Sequence, residues 1–269
     1  MFIDLVMWTK NGERFLSRVL KRIDKVIPQE NVKRKILVDD HSVDRTAEIA
    51  KGFNWEVYEN PGGGIALGAN EALRHVVSPF FVSVEQDVLL AKDWWDKIPK
   101  YMENEKVAVA QGIRVSTNPT LRKLDEYVYS RTLTRKSIDN NIFSTRIVRQ
   151  FGGFPTYCPV CVDTIFFKKI TYETPYRWVI DRNVVSLHIQ EDIKYLIQHT
   201  YKHVLMCTHT RYCSINPSLY MYVRMLATSP TWGLRIALRK HEPNIVWIYP
   251  YMRFMALKAI LDKRRALRN

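Results

Sequence analysis

The sequence predicts an α/β protein with a mostly parallel, Rossmann-type sheet flanked by helices, followed by a basic helical C-terminal tail. Short apolar runs alternate with helical periodicity through residues 1–115, which is typical of βαβ units. From residue 216 onward, basic and aromatic residues are interleaved. With 269 residues, 46% of them hydrophobic, the chain can form a large core, and its composition excludes a disordered or low-complexity protein.

The elements of the first part follow from apolar spacing and turn residues. Either Ser42 or Asp44 caps the helix after the second strand, and a glycine-rich turn over 61–64 precedes the next helix. The third strand is short and edge-like. The predicted elements are, in order, strand 2–8, helix 11–26, strand 35–38, helix 46–51, strand 55–58, helix 65–76 and strand 80–84.

After residue 115 the pattern becomes irregular. A polar stretch over 116–141 contains a predicted helix around 121–132, and residues 164–170 form a buried segment. Residues 184–189 are predicted to form a strand that leads into another helix. The tail is predicted to form short helices broken by Pro230 and Pro250.

The formal net charge of +14 is distributed unevenly. Residues 1–120 contain 17 basic and 17 acidic residues, so the remaining residues contain 24 and 10, respectively. Such asymmetry predicts that the second part meets an anionic partner, which can be a phosphate, a nucleic acid or a membrane surface.

The sequence contains no apolar stretch of the roughly 18 residues that a membrane-spanning helix needs. The N-terminal residues 1–7 have no basic leader and are predicted to start a strand, so no secretory signal is expected. We therefore expect a cytoplasmic protein.

The four cysteines allow three interpretations. Cys158 and Cys161 form a Cys-x-x-Cys pair, whereas Cys207 and Cys213 are spaced more widely than the second pair of a common zinc site. Buried core thiols are therefore favoured. A zinc site and a disulfide remain the alternatives, the latter if the source is a hyperthermophile.

Acidic side chains follow two of the predicted strands. Asp39 and Asp40 end the second strand, and Glu85 and Asp87 follow the strand over 80–84. In open α/β sheets, ligands bind beyond the carboxyl ends of the strands. These carboxylates are therefore candidate ligand groups.

Four motifs, in order, resemble those of glycosyltransferase family 2, whose members have the GT-A fold. The resemblance covers about residues 1–214. No single motif is specific for the family, but the four motifs together, in this order, are. They are Val38-Asp39-Asp40-His41-Ser42-Val43-Asp44-Arg45-Thr46, Asn60-Pro61-Gly62-Gly63-Gly64 with Ala69-Asn70, Glu85-Gln86-Asp87, and Glu191-Asp192.

The resemblance implies an enzyme that takes a sugar from a nucleoside-diphosphate sugar with the help of a divalent cation, Mn or Mg. Carboxylate-bound cations suit this chemistry because they balance the charge of the diphosphate. The implied metal ligands are Asp87, more weakly Glu85, and His209, for which Cys213 is the competitor. The implied nucleotide contacts are Thr9, Asp39, Asp40, Asn70 and Glu85.

By the same resemblance, Asp192 is the general base that takes the acceptor's proton, and Glu191 shapes the acceptor site or orients Asp192. One base and direct displacement imply inversion at the anomeric carbon. The structural alternative for Asp192, and likewise for Asp40, is an acidic residue that is favoured at a helix N-terminus by the helix dipole. For Glu85 and Asp87, the structural alternative is an acidic turn that leads into the helix near Lys92.

The sequence departs from the family pattern at two positions. Glu85 replaces the first Asp of the D-x-D motif, and Ala69 replaces a frequent Arg, for which Lys10 or a later Arg can substitute. We predict a catalytic domain over 1–215, with a nucleotide-binding half over about 1–115 and an acceptor half over 116–215.

The tail over 216–269 is predicted to be amphipathic, and two interpretations stay open for it. It either docks the enzyme on a membrane surface near a lipid-linked acceptor or packs on the catalytic domain with a basic outer face. The acceptor is a hydroxyl, as on a glycan, or a lipid phosphate. Alternative functions are a nucleotidyltransferase and a non-catalytic membrane or nucleic-acid binder, although nucleic acid is the less favoured partner.

Overall fold

The computed structural model describes residues 1–131, 136–189, 192–207 and 218–266. The chain divides into two compact units. We call them the sheet unit, which comprises residues 1–114, 136–157 and 162–189, and the helical unit, which comprises residues 115–135, 158–161 and 190–269.

The sheet contains eight strands in the order β3-β2-β1-β4-β7-β6-β8-β5. Strands β1 to β4 pair in parallel, whereas β7 is antiparallel to both β4 and β6, and β5 is antiparallel to β8. The predicted mostly parallel α/β sheet is therefore confirmed. The strands are β1 Ile3–Thr9, β2 Val32–Asp39, β3 Glu56–Glu59, β4 Phe80–Val84, β5 Val88–Leu89, β6 Val107–Ser116, β7 Asn141–Ser144 and β8 Arg177–His188.

Helices cover both faces of the sheet. Alternate residues of β1 point to opposite faces, as the strand period of two requires. Leu5 and Met7 join a core cluster with α1, whereas Val6 joins a second cluster with α3 and α7. The helices of this unit are α1 Glu13–Val26, α2 Thr46–Gly52, α3 Ile65–His75, α4 Trp94–Lys97, α6 Thr145–Gln150 and α7 Val162–Glu173, with short 3₁₀ helices over Gln29–Asn31 and Pro99–Glu103.

Two buried polar side chains anchor loops to the strands. Asp4 of β1 is fully buried and accepts hydrogen bonds from the Val77 N–H (2.6 Å), the Ser78 N–H (2.9 Å) and the Ser78 hydroxyl (2.8 Å). Ser83, the polar exception in β4, donates to the Ile138 carbonyl at 2.7 Å. Buried polar groups need such partners, so these bonds fix the loop before β4 and the loop before β7.

The described part of the helical unit contains four helices: α5 Pro119–Arg131, α8 Ile193–Met206, α9 Leu219–Lys240 and α10 Ile245–Ala266. Leu124 and Tyr127 of α5 pack in one cluster with Ile236 of α9 and Ile245 of α10. This contact explains why α5 groups with the C-terminal helices. The units therefore follow boundaries other than the one drawn from the sequence at residue 215.

The tail helices are long, and the expectation of short helices broken by proline is wrong. Pro230 lies inside the 22-residue α9, and Pro250 lies inside the 22-residue α10. Pro230 lacks the N–H that would bond the Leu226 carbonyl four residues earlier. The buried Ser229 hydroxyl donates to that carbonyl at 2.6 Å, so its bonding capacity is met. None of the described helices has both the length and the apolar character to cross a bilayer.

Replacing Ser229 with Ala should lower the free energy of unfolding by about 1–3 kcal/mol, because the Leu226 carbonyl then loses its substitute donor. Urea titration followed by circular dichroism of the full chain measures the change. Thr231→Ala is the matched control. The exposed Thr231 hydroxyl donates to the Thr228 carbonyl at 2.8 Å, where no proline removes the backbone donor, so a change within about 0.5 kcal/mol is expected. Equal losses in both variants would contradict the role given to Ser229.

Candidate active site

The candidate site lies at the edge of the sheet where three parallel strands end. The register pairs Thr9 of β1 with Asp39 of β2, and Met7 of β1 with Val84 at the end of β4. The Asp40 N–H donates to the Thr9 carbonyl at 2.8 Å, which extends the β1–β2 pairing by one residue. The polar residues that follow β2 and β4 therefore converge beside the end of β1.

Asp40 is held by the glycine-rich loop. Its Oδ1 accepts from the Asn60 amide at 2.9 Å and from the Gly64 N–H at 3.0 Å, and its Oδ2 lies 3.4 Å from Lys10 Nζ. Gly63 and Gly64 have φ of 81° and 86°, a conformation that glycine adopts without strain. The glycines thus let the loop fold back to fix the orientation of the Asp40 carboxylate. Half of the Lys10 side chain stays exposed beside it.

The Asp39 carboxylate is used within its own turn. It accepts from the Ser42 N–H at 3.2 Å and from the Ser42 hydroxyl. The same hydroxyl oxygen accepts from the Asn11 N–H at 2.8 Å, at the start of the turn after β1. Asp44 accepts from the Thr46 N–H at 3.0 Å beside the start of α2. The N-cap residue is Arg45, and neither Ser42 nor Asp44 takes the predicted position. Asp39 therefore links the turns after β1 and β2.

Gln86 joins the turn after β4 to the turn after β1. Its Oε1 accepts from the Lys10 N–H at 3.0 Å and from the Thr9 hydroxyl, and its Nε2 donates to the Lys10 carbonyl at 3.1 Å. A Cβ added at Gly12 would lie 3.0 Å from both Gln86 Oε1 and Thr9 Oγ1. The Gln86 side chain therefore sets the position of its neighbours Glu85 and Asp87 relative to Thr9.

Asp87 is one of the described residues here with a buried polar atom that has no hydrogen-bond partner; Asp139 Oδ1 and Asn140 Oδ1 are others. His188 Nε2 lies 3.2 Å from Asp87 Oδ2, and the Asp87 carbonyl accepts from the Ile189 N–H at 2.7 Å. Asp87 Oδ1 is buried and has no hydrogen-bond partner among the described residues. A buried carboxylate oxygen without a partner is costly, so this atom fits a group that the described residues do not supply.

Glu85 differs from Asp87 because its charge is already paired. Glu85 Oε2 contacts the guanidinium of Arg114 and accepts from the Asn140 amide at 3.3 Å. Side chains of Glu85 and Arg114 are about three-quarters buried. Glu85 therefore has less capacity than Asp87 to bind a cation directly.

Asp139 adds a further buried carboxyl beside this group. Burial raises the pKa of Asp139 to about 7, and the neighbouring Asp163 and Asp87 add to the rise, although Arg114 opposes it. Its loop is held by Ser83 and by Trp94, whose indole donates to the Asn140 carbonyl at 3.3 Å. Asp139 therefore carries a proton more readily than an ordinary aspartate.

The carboxylates of this group fit a divalent cation whose coordination shell is completed by a bound substrate and water. Among the described residues, the carboxylates do not form a closed group of three ligand atoms. Mg²⁺ and similar hard cations are commonly held by one or two carboxylates, with phosphate oxygens and water completing the shell. Asp87 Oδ1 supplies one such oxygen.

The other predicted residues have different positions. The Asn70 amide donates to the Phe154 carbonyl and accepts from the Phe154 N–H, both at 2.8 Å, so its nucleotide contact stays a prediction. Asp192 belongs to the helical unit, where it is the exposed N-cap of α8 and accepts from the Lys194 N–H at 2.8 Å. Glu191, His209 and Cys213 lie outside the described residues.

Sequence reasoning missed several residues of this group: Gln86, Arg114, Asp139, Asn140 and His188. His188 contacts Asp87 because β8 pairs with β5 and places His188 opposite Val88. No periodicity or motif signals such a long-range pairing. For the loop that contains Asp139 and Asn140, the one local signal is the run of polar residues before β7, where Asn140 adopts a φ of 62°.

Comparison with solved structures identifies three informative neighbours. A mannosyltransferase from Pyrobaculum calidifontis, in complex with GDP-Man and Mn²⁺, has a TM-score of 0.70 at 19% identity, covering 97% of this chain and 87% of its own. TarS from S. aureus, in complex with UDP-GlcNAc, has a TM-score of 0.58 at 15% identity, with 99% and 92% covered.

The third neighbour is glucosyl-3-phosphoglycerate synthase from Mycobacterium tuberculosis, in complex with Mn²⁺, UDP and phosphoglyceric acid. It has a TM-score of 0.59 at 13% identity, with 80% of this chain and 79% of its own covered. These likenesses show that the fold is GT-A-like. A search among curated proteins finds no match to this sequence.

Residues 4–173, more than half of the chain, match the family described as Glycosyl transferase family 2. The match includes the ends of β1, β2 and β4, where the carboxylates of the candidate site converge. The chain therefore belongs to glycosyltransferase family 2 and is an enzyme of that class.

Proposed function

We propose that the enzyme transfers a sugar from a nucleoside-diphosphate sugar to an acceptor hydroxyl, with inversion of the anomeric configuration and with the help of a divalent cation. The observation that carries the proposal is the buried, unpartnered Oδ1 of Asp87 beside Gln86 and the end of β1. The neighbours solved with GDP-Man and Mn²⁺, and with UDP and Mn²⁺, support both the donor class and the cation.

The nucleotide part of the donor would bind beyond β1 and β2. Asp40, whose orientation is fixed by Asn60 and Gly64, offers an anionic acceptor for a base or ribose N–H or O–H. Lys10 is exposed beside it and supplies a positive charge for a phosphate. Thr9 and Asp39 form the floor of this region through their bonds to Gln86 and Ser42.

The diphosphate part would bind at Asp87. Asp87 Oδ1 would hold the cation, and His188 would orient the carboxylate through the contact with Oδ2. A bound divalent cation balances the charge of the diphosphate and makes it a better leaving group. Glu85 is proposed to contribute indirectly, because Arg114 and Asn140 already engage it.

Asp192 is the proposed base that takes the proton from the acceptor hydroxyl. It occupies the position of the base in the Glu191-Asp192 motif, by the resemblance to the family. Only Asp192 Oδ1 is used in the cap of α8, which leaves the other oxygen for a proton. A phosphate acceptor is the alternative, and it would arrive already ionised.

The C-terminal helices are proposed to rest on an anionic membrane surface, where a lipid-linked acceptor would be found. On α10, exposed Trp247, Tyr251, Phe254 and Leu261 recur at heptad-like spacing along one face. Lys258 lies on the same face and is exposed. An aromatic and basic helix face of this kind suits the headgroup region of a bilayer.

Asp87→Asn should remove the Mn²⁺-dependent part of the thermal shift that GDP or UDP produces, because the amide cannot supply an anionic ligand. The shift is measured for each nucleotide with and without Mn²⁺. Asp93→Asn is the control, since Asp93 is a partly exposed acid that pairs with Lys97 at 2.7 Å in the same unit. His188→Ala should give an intermediate loss, about 10–100-fold in Mn²⁺ affinity. An unchanged Mn²⁺-dependent shift in Asp87→Asn would overturn the metal assignment.

Asp192→Asn should lower kcat/KM by about 10²–10⁴-fold for a hydroxyl acceptor, because proton removal loses its base. For a phosphate monoester acceptor the loss should stay below about tenfold, since the second ionisation is complete near neutral pH. Asparagine is also a good N-cap, so α8 should keep its stability and the thermal midpoint serves as the control. Full activity toward hydroxyl acceptors would exclude Asp192 as the base.

Trp247→Ala combined with Phe254→Ala should reduce flotation with vesicles of phosphatidylcholine and phosphatidylglycerol severalfold, because the aromatic rings lose their place in the headgroup region. Tyr172→Ala provides the control, as Tyr172 is 72% exposed on α7 of the sheet unit. Wild-type protein that does not float with these vesicles at low salt would refute membrane docking and leave the transferase assignment intact.

A further inference from the structure

A cluster of three cysteines lies in the helical unit, apart from the residues proposed for sugar transfer. Cys158, Cys161 and Cys207 are buried, with at most 1% of each residue exposed. Their Sγ atoms all lie within 4.8 Å of one another, and those of Cys161 and Cys207 are 3.6 Å apart. Among the described residues this is the one group of three potential ligands that could hold a single metal ion.

The chain path to this cluster is unusual. Residues 158–161 group with the helical unit, although the chain before and after them belongs to the sheet unit. Two contacts fasten this four-residue loop to α8. One is the pair Cys161 and Cys207, and the other is His203 Nε2, which lies 2.5 Å from the Val160 carbonyl. Cys207 is the residue directly after α8.

The sulfur spacing matches a tetrahedral ion better than a disulfide. Two thiolates at Zn–S bonds of about 2.3 Å in a tetrahedron are separated by about 3.8 Å. A disulfide requires about 2.05 Å between the two sulfurs. The distance of 3.6 Å between Cys161 and Cys207 is therefore close to one edge of a zinc–thiolate tetrahedron.

We propose that Cys158, Cys161 and Cys207 hold a structural Zn²⁺ that fastens the loop 158–161 to the end of α8. Thiolate ligands select Zn²⁺ over the hard cations Mg²⁺ and Mn²⁺. The Lys263 ammonium contacts the Cys207 carbonyl, which places a positive charge near the thiolates. The fourth ligand is left unassigned, because His209 and Cys213 lie outside the described residues.

The spacing of the cysteines in the sequence does not by itself reveal this site. The Cys158-x-x-Cys161 pair is a common half of a zinc site, but Cys207 has no close partner at the usual spacing. The fold supplies the missing relation by bringing the end of α8 to the loop. The site is independent of the proposed transferase function, since no carboxylate of the candidate active site takes part.

The test is the zinc content of the full chain, purified without chelator and measured by inductively coupled plasma mass spectrometry. Wild-type protein should carry one zinc per chain, and Cys161→Ser and Cys207→Ser should reduce the zinc content at least tenfold. Two controls should keep one zinc per chain. Val204→Ala removes core volume from the buried face of α8 without removing a sulfur, and Asp87→Asn removes the proposed Mn²⁺ ligand.

A second measurement covers the case in which the cysteine variants fail to fold. Wild-type protein, stripped of metal and loaded with Co²⁺, should develop near-ultraviolet thiolate-to-cobalt charge-transfer bands, and its thermal midpoint should rise with the metal. Wild-type protein with less than a tenth of a zinc per chain and no cobalt bands would overturn the proposal. A thiol titration after denaturation would then separate a disulfide from reduced core thiols.

Discussion

The parallel register of β1 with β2 and β4 is the constraint on which the site depends. It brings Thr9, Asp39 and the residues after Val84 to one edge of the sheet. Strand pairing alone leaves the following turns free to splay, and Gln86 removes that freedom by bonding both backbone groups of Lys10. The acids gather because the backbone and one amide hold them there, against their mutual repulsion.

The distribution of charge at this edge distinguishes the carboxylates from one another. Asp40 faces Lys10, Glu85 faces Arg114, and burial raises the pKa of Asp139 to about 7, so that Asp139 is only partly ionised at neutral pH. Among the described residues, Asp87 contacts the imidazole of His188 through one oxygen, and its other oxygen, like Asp139 Oδ1, is buried without a partner. A cation bound there would meet one uncompensated carboxylate, which is the arrangement expected where the substrate's phosphates supply the remaining ligands.

Sequence patterns predicted the elements that depend on local chemistry. The strands before Asp39 and Glu85 and the helices α1 to α3 follow from apolar spacing and turn residues, and they are confirmed. The antiparallel β7, the loop of Asp139 and the contact of His188 with Asp87 depend on pairings between distant segments, which leave no local signature. Pro230 led to the wrong prediction that the helix is broken there. The Ser229 hydroxyl replaces the missing backbone donor, and a rule that treats proline as a helix breaker does not include such a compensation.

The two sets of residues proposed as metal ligands lie in chemically different surroundings. The oxygens around Asp87 are hard ligands, and a closed group of three is absent among the described residues, so a cation there would be weakly held and would need the donor substrate. The sulfurs of Cys158, Cys161 and Cys207 are soft ligands in a buried group, which suits a tightly held ion with a structural role. Because Mn²⁺ competes poorly for thiolates, the type of ligand would direct Zn²⁺ to the cysteines even when both metals are present. If both proposals hold, the ion at Asp87 would exchange with the donor substrate, whereas a zinc at the cysteines would hold the loop 158–161 to the end of α8.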